Sequence, residues 1–195
     1  GVQGNVSFSV NDRLCLDGQR LFTASGSTDT AYWTTGASYF KELTDFSIVR
    51  AHGSTLQGPK AFTVETKSGE IHYYGDTAYV SGTDTMGKAL SLSLKITGGA
   101  TESSTDALFQ FSATNNTPRQ WALKAIRDVK GNYIVFRYAN DVSKGEQYLS
   151  EVHYTGSGTY APFAKVVFNY VDNEKPKRGF YAGAPSAFTK RLDSV

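Results

Sequence analysis

Asp17-Gly18 lies between Arg13-Leu14-Cys15-Leu16 and Gln19-Arg20-Leu21-Phe22, and this arrangement restricts the possible folds more than any other feature of the chain. An Asp-Gly pair between alternating residues favours a two-residue type I′ turn, whose positive φ angles match the twist of paired strands. A two-residue loop sets the register. Leu14 faces Leu21 on the side that also carries Leu16, while Arg13, Cys15, Arg20 and Phe22 point the other way.

Two further hairpins obey the same logic. Phe62-Thr63-Val64-Glu65 turns at Thr66-Lys67-Ser68-Gly69 and returns through Ile71-His72-Tyr73-Tyr74. The stretch from Trp121 to Arg127 turns at Asp128-Val129-Lys130-Gly131 and returns through Tyr133-Ile134-Val135-Phe136-Arg137-Tyr138. Asp first and Gly fourth suit a type I turn, with Gly easing the exit into the next strand. The two turns read as variants of one unit, a faint repeat that falls short of a solenoid.

Elsewhere, Leu90, Leu92, Leu94 and Ile96 alternate with Ser91, Ser93 and Lys95, which predicts a half-buried strand with one wet face. If that strand lies at an edge, only Lys95 guards it against pairing with another chain. Val166, Phe168 and Tyr170 predict another strand, paired with Tyr148 to Tyr154 across Gly156-Ser157-Gly158. Gly98 to Asp106 and Asn115 to Pro118 read as surface loops, and Ala37 to Leu43 as one short turn of helix. The third hairpin is apolar on both faces of its return strand, so the sheet should be covered on both sides there. The expected fold is all-β: antiparallel hairpins and meanders forming a curved sheet or sandwich-like shell segment, with little helix.

A chain of 195 residues suits a single domain over 1–195, and 39% hydrophobic residues suffice for a core. Net charge is +2 with no block of like charges; Lys175-Pro176-Lys177-Arg178 follows Asp172 and Glu174 and is locally almost balanced. A nucleic-acid partner would need a sustained basic stripe. No apolar run approaches the roughly 18 residues of a membrane span. Cys15 is the one cysteine, so no intramolecular disulfide forms. Gly1-Val2-Gln3-Gly4-Asn5 lacks the charged start and apolar core of a signal peptide. With no initiating Met and an abrupt stop at Leu192-Asp193-Ser194-Val195, the chain reads as a piece of something longer.

Chemistry-bearing constellations are missing from the sequence. His52, His72 and His153 show no metal-ligand spacing, and there is no Cys-x-x-Cys, EF-hand loop, Gly-x-Ser-x-Gly, P-loop or Gly-x-Gly-x-x-Gly. His72 and His153 fall inside predicted strands, where a hydrogen-bonded structural role is expected. Asp12, Asp17, Asp128 and Asp172 fall where turns want an Asp. The expectation is therefore no catalytic residue, no metal and no cofactor. Cys15 has two readings: a buried, inert small hydrophobe, which is favoured, or a reactive thiol opposite Arg20 on an exposed face. Aromatic residues make up 13% of the chain and are read as core, with Trp33 and Trp121 the best candidates for stacking on a sugar.

The ten residues Asp12-Arg13-Leu14-Cys15-Leu16-Asp17-Gly18-Gln19-Arg20-Leu21 carry a resemblance. Tyr32-Trp33-Thr34-Thr35 and Gly58-Pro59-Lys60-Ala61-Phe62-Thr63-Val64 with Lys67-Ser68-Gly69 extend it. So do Trp121, Asp128-Val129-Lys130-Gly131-Asn132-Tyr133-Ile134, Glu151-Val152-His153-Tyr154-Thr155-Gly156 and Arg191-Leu192-Asp193-Ser194. The chain resembles the N-terminal region shared by the B component of bacterial insecticidal toxin complexes and the Salmonella plasmid virulence protein B family. The stretch from about 76 to 120 matches weakly and is longer than that family needs.

The resemblance implies a non-enzymatic segment of a secreted toxin-complex or Rhs-like protein, adding β-sheet to a shell of Rhs/YD-type hairpins around a toxic domain. Its implied partners are other segments or subunits of such a complex and a C-terminal toxin cargo. Asp17, Gly18, Gly69, Trp121, Asp128, Gly131 and Asn132 carry over as scaffold residues. No β-propeller repeats follow, and the Glu-x-Glu of the ADP-ribosyltransferase domain that follows a similar region in the virulence protein does not occur. Two other readings stand beside this one: a secreted or surface β-sandwich module that binds a glycan or host receptor, and a glycosidase-like enzyme with cross-strand carboxylates.

Overall fold

The structure is a computed structural model that describes residues 11–23, 32–43, 45–54, 58–102, 105–110, 118–181 and 184–195. The expectations for Gly1 to Asn5 and for Asn115 to Thr117 lie outside these residues.

Ten antiparallel strands form the main sheet, in the order β1-β2-β3-β4-β5-β6-β9-β10-β11-β12. They are β1 (Cys15–Leu16), β2 (Gln19–Thr23), β3 (Ser38–Lys41), β4 (Ile48–His52), β5 (Ala61–Glu65), β6 (Ile71–Gly75), β9 (Leu123–Arg127), β10 (Asn132–Asp141), β11 (Glu146–Ser157) and β12 (Ala164–Val167). Two separate pairs complete the fold: β7 (Leu108–Gln110) with β8 (Pro118–Trp121), and β13 (Asn169–Tyr181) with β14 (Ala184–Ser194). The sheet is a meander because each short loop returns the chain beside the strand it left.

The first hairpin has the predicted register. Cys15 is opposite Arg20 and Leu16 opposite Gln19, and Leu21 N–H donates to the Leu14 carbonyl at 2.9 Å. Asp17 and Gly18 have φ of 51° and 75°, as a type I′ turn requires. The second and third hairpins share one geometry. Gly69 N–H donates to Thr66 at 2.9 Å, and Gly131 N–H to Asp128 at 3.1 Å, with φ of 83° and 90° at the glycines. The Asp128 carboxylate accepts from Lys130 N, Asn132 N and Asn132 Nδ2 at 2.9, 2.8 and 2.7 Å. The same backbone pattern recurs at Asp84–Lys88 and Ile96–Ala100, so the faint repeat is a turn used four times among the described residues rather than a repeating domain unit.

Between β6 and β7 the chain leaves the sheet, and residues 76–102 and 105–107 run across it as a strap. Val80, Leu90 and Leu94 are buried in one cluster with Ile71, Tyr73, Ala125, Tyr133 and Val135. Leu90 to Ile96 therefore buries alternate residues, as expected, but it is not a ladder strand and not an edge. Among the described residues of the strap, the bridges are isolated ones, Thr83 with Ala89 and Lys95 with Thr101. The alternation arises because the segment lies over a sheet face, not beside a strand.

Two other expectations are corrected. Ala37 to Leu43 contains β3 rather than a helical turn, because pairing with β2 and β4 on both sides overrides local preference. The strand expected through Val166, Phe168 and Tyr170 breaks at Phe168 into β12 and β13, although its pairing with β11 is as predicted. Two-sided burial is complete at β5, whose five residues are all buried, while Ile134 and Phe136 on β10 are half-buried. On the face opposite the strap, Tyr32, Tyr39, Phe62 and Trp121 stack edge-to-face in series, with ring centroids 5.0, 6.2 and 5.1 Å apart.

Candidate functional site

The densest polar cluster lies where the end of the strap meets β9, β10 and β11. Lys124, on β9 between Leu123 and Ala125, has a fully buried side chain. Its Nζ donates to Glu102 Oε1 at 2.7 Å and to Asp106 Oδ1. Asp106 Oδ2 accepts the backbone N–H of Tyr138 at 2.8 Å. Arg137 Nε lies 3.1 Å from Glu102, and Arg137 Nη1 lies 2.5 Å from Glu151. Glu151 also accepts from Lys165 Nζ at 2.8 Å and faces His153 Nε2 at 3.0 Å. The hydrogen bond from Lys165 lowers the Glu151 carboxyl to about 2 against a desolvation cost, and Arg137 and His153 add to the shift.

Thr97 N–H donates to His153 Nδ1 at 3.1 Å, so that nitrogen's lone pair is committed and Nε2 carries the proton towards Glu151. Three carboxylates meet three cations here: Glu102, Asp106 and Glu151 against Lys124, Arg137 and Lys165. Buried charges persist when each has a partner and hydrogen bonds, and here each has both. A second anchor joins the other end of the strap. Glu65 on β5 takes Arg50 at 3.0 Å and accepts Thr85 N at 3.1 Å.

The three histidines have structural partners. His52 Nε2 lies 2.9 Å from Thr63 Oγ1, and burial, reinforced by Arg50, pushes its pKa down to about 4. His72 is 3.8 Å from Glu70, and His153 belongs to the network. Among the described residues, no group of three or more His, Cys, Asp or Glu side chains could hold a metal ion. No described helix is long and apolar enough to cross a membrane.

A second feature is an open, largely apolar groove of about 200 Å³ under the first hairpin, walled by Leu14, Leu21, Val49 and Phe62. Cys15, Arg119, Gln120 and Trp121 also line it. Cys15 is exposed, which corrects the favoured buried reading. The reason is its place on β1, the last strand of the sheet, opposite an equally exposed Arg20. Trp121 is no open stacking platform: its Nε1 donates to Pro59 O at 3.0 Å and its ring abuts Phe62 edge-on. Trp33 is half-buried against Tyr32 at 5.2 Å. Among the described residues the most exposed large aromatics are instead Phe180, Phe163, Tyr160 and Phe46.

Of the residues singled out in the sequence, Asp17, Gly18, Gly69, Asp128 and Gly131 sit in turns at sheet ends, Asn132 begins β10, and Trp121 belongs to the aromatic series. They form no common site. The strap network went unseen in the sequence. Its one local signal was a lysine set inside an apolar strand, Leu123-Lys124-Ala125, which asks for a buried counter-charge.

No protein-family model matches the chain, and comparison with curated protein sequences finds no match. Solved structures do share its fold. The N-terminal domain of effector protein SpvB from Salmonella typhimurium strain LT2 matches with a TM-score of 0.61 at 13% identity, over 97% of this chain and 70% of that one. The crystal structure of TcdB2-TccC3-TEV matches with a TM-score of 0.64 at 16% identity, over 97% of this chain and 10% of that one. At these identities the likeness is one of fold, and this chain spans a tenth of the second protein's length.

Proposed function

We propose that this chain is a non-enzymatic structural segment of a secreted bacterial toxin-complex or Rhs-like protein, supplying curved sheet to a shell that encloses or carries a toxic domain. The observation that carries the reading is the match to both an effector domain and TcdB2-TccC3-TEV over 97% of this chain. The polar architecture fits the same reading, since the buried acids are engaged in pinning the strap to the sheet. Partners on this reading are neighbouring segments or subunits of a toxin complex and a C-terminal toxin cargo. The outer strands β1 and β12 offer ladder groups to such neighbours.

The test is a structure of the product of the full reading frame, together with assays of NAD and glycoside turnover on the purified chain. The expected result is a sheet that continues through flanking segments into an enclosure, and no turnover. Turnover that survives purification and is lost on mutating Glu102 or Glu151 would replace this reading with a hydrolase. A free-standing domain that retains a glycan at Tyr160 and Phe163 would replace it with a binding module.

A further inference from the structure

We propose that Lys124 and Asp106 are joined by an intramolecular isopeptide bond, with Glu102 moving the protons. Three observations meet at one point. Lys124 has a side-chain exposure of 0% and Glu102 of 2%, so bulk water is kept from the amine and the base. Nζ is in direct contact with Asp106 Oδ1 and lies 2.7 Å from Glu102 Oε1, so nucleophile, electrophile and base share one contact. Tyr138 N–H donates at 2.8 Å to Asp106 Oδ2, the oxygen on which negative charge grows when Cγ is attacked.

The step balances without any co-reactant. Glu102 takes a proton from the Lys124 ammonium, and the freed lone pair forms the N–C bond at Asp106 Cγ, with Oδ2 held by Tyr138. Glu102 delivers that proton to Oδ1, then relays a second from the nitrogen. The Cγ–Oδ1 bond breaks, Oδ1 leaves as water, and Oδ2 becomes the amide carbonyl. One ammonium and one carboxylate become one amide and one water, nothing is oxidised, and Glu102 ends as it began.

The surroundings suit the product. The condensation removes one positive and one negative charge, and the positive one sits fully buried, where keeping an ion costs most. It leaves Glu102 and Glu151 facing Arg137 and Lys165, still balanced. It also ties the end of the strap covalently to β9, where the strap's described residues pair only through isolated bridges.

Intact-mass measurement of the denatured full chain tests this, followed by peptide mapping. The expected mass is lighter than the sequence mass by one water, with a branched peptide joining the Lys124 and Asp106 segments. Lys124→Met, Asp106→Ala and Glu102→Gln should each restore the full sequence mass, and Glu102→Gln should still melt cooperatively. A full sequence mass in the unaltered chain overturns the proposal and leaves an ion triad. A loss of water that persists in Lys124→Met comes from elsewhere, such as a succinimide at Asp17-Gly18, and overturns it equally.

Discussion

Gly145 lies against the backbone of Pro185, so closely that a Cβ on the glycine would fall 1.9 Å from the Pro185 carbonyl oxygen. This contact seats the β13–β14 arm on the end of β11. Next to it, the buried Glu146 carboxylate accepts the Thr189 hydroxyl at 2.8 Å and also its backbone N–H. Gly145 also has φ of 70°, a second reason for glycine. Gly145→Ala should therefore cost about 2 kcal/mol or more, through strain and displacement of the arm. Thermal melts give the loss, and faster exchange of the Thr189 amide would place it at the arm. An unchanged melt would mean that the arm does not pack as described.

Gly18 makes a contrasting case. Its φ is 75°, but an added Cβ would meet nothing within 4 Å. Gly18→Val should cost about 1 kcal/mol or more, from backbone strain alone. Gly18→Asn should cost less, since Asn tolerates the left-handed region. Equal losses for both variants, read from denaturant midpoints, would argue against the type I′ turn.

Cys15 should label in the native protein at about the rate of a free peptide thiol, because it is exposed on the outermost strand. Thiol titration without denaturant checks this. Slow labelling would show that the strand edge is covered in solution, by a second copy or by neighbouring chain.

His52 should make the fold acid-sensitive well above the carboxylate range. Burial, with Arg50 adding to it, lowers its folded pKa to about 4, against an ordinary value near 6.5. A lowered pKa means that the unfolded chain binds the proton first as pH falls. The contribution is therefore full above about 6.5 and is lost progressively down to about 4, with a ceiling of about 3 kcal/mol. His52→Gln, which keeps an amide towards Thr63, should flatten stability across that window in denaturant melts. A slope left unchanged would place the responsible proton elsewhere.

The hairpins were legible because their information is local. Asp17-Gly18 dictates a turn, the turn dictates that Cys15 faces Arg20, and the two-residue period then assigns every side chain to a face. Thr66 to Gly69 and Asp128 to Gly131 worked in the same way, and so did the pairing of β11 with β12. The sequence by itself thus determined an all-β meander, its turns and much of its register. It could not say which element covers which face. Leu90 to Ile96 has the alternation of a strand whether it lies beside one or across several, since burial on one side produces the same pattern. Cys15 alternates correctly in either environment, so its exposure depended on β1 being last in the sheet. Glu102 and Asp106 meet Lys124 from across 22 and 18 residues of chain, and no local rule couples charges at that separation. Only the tertiary structure decided those partners, because a buried charge is paired by whatever the fold brings within a few ångströms of it.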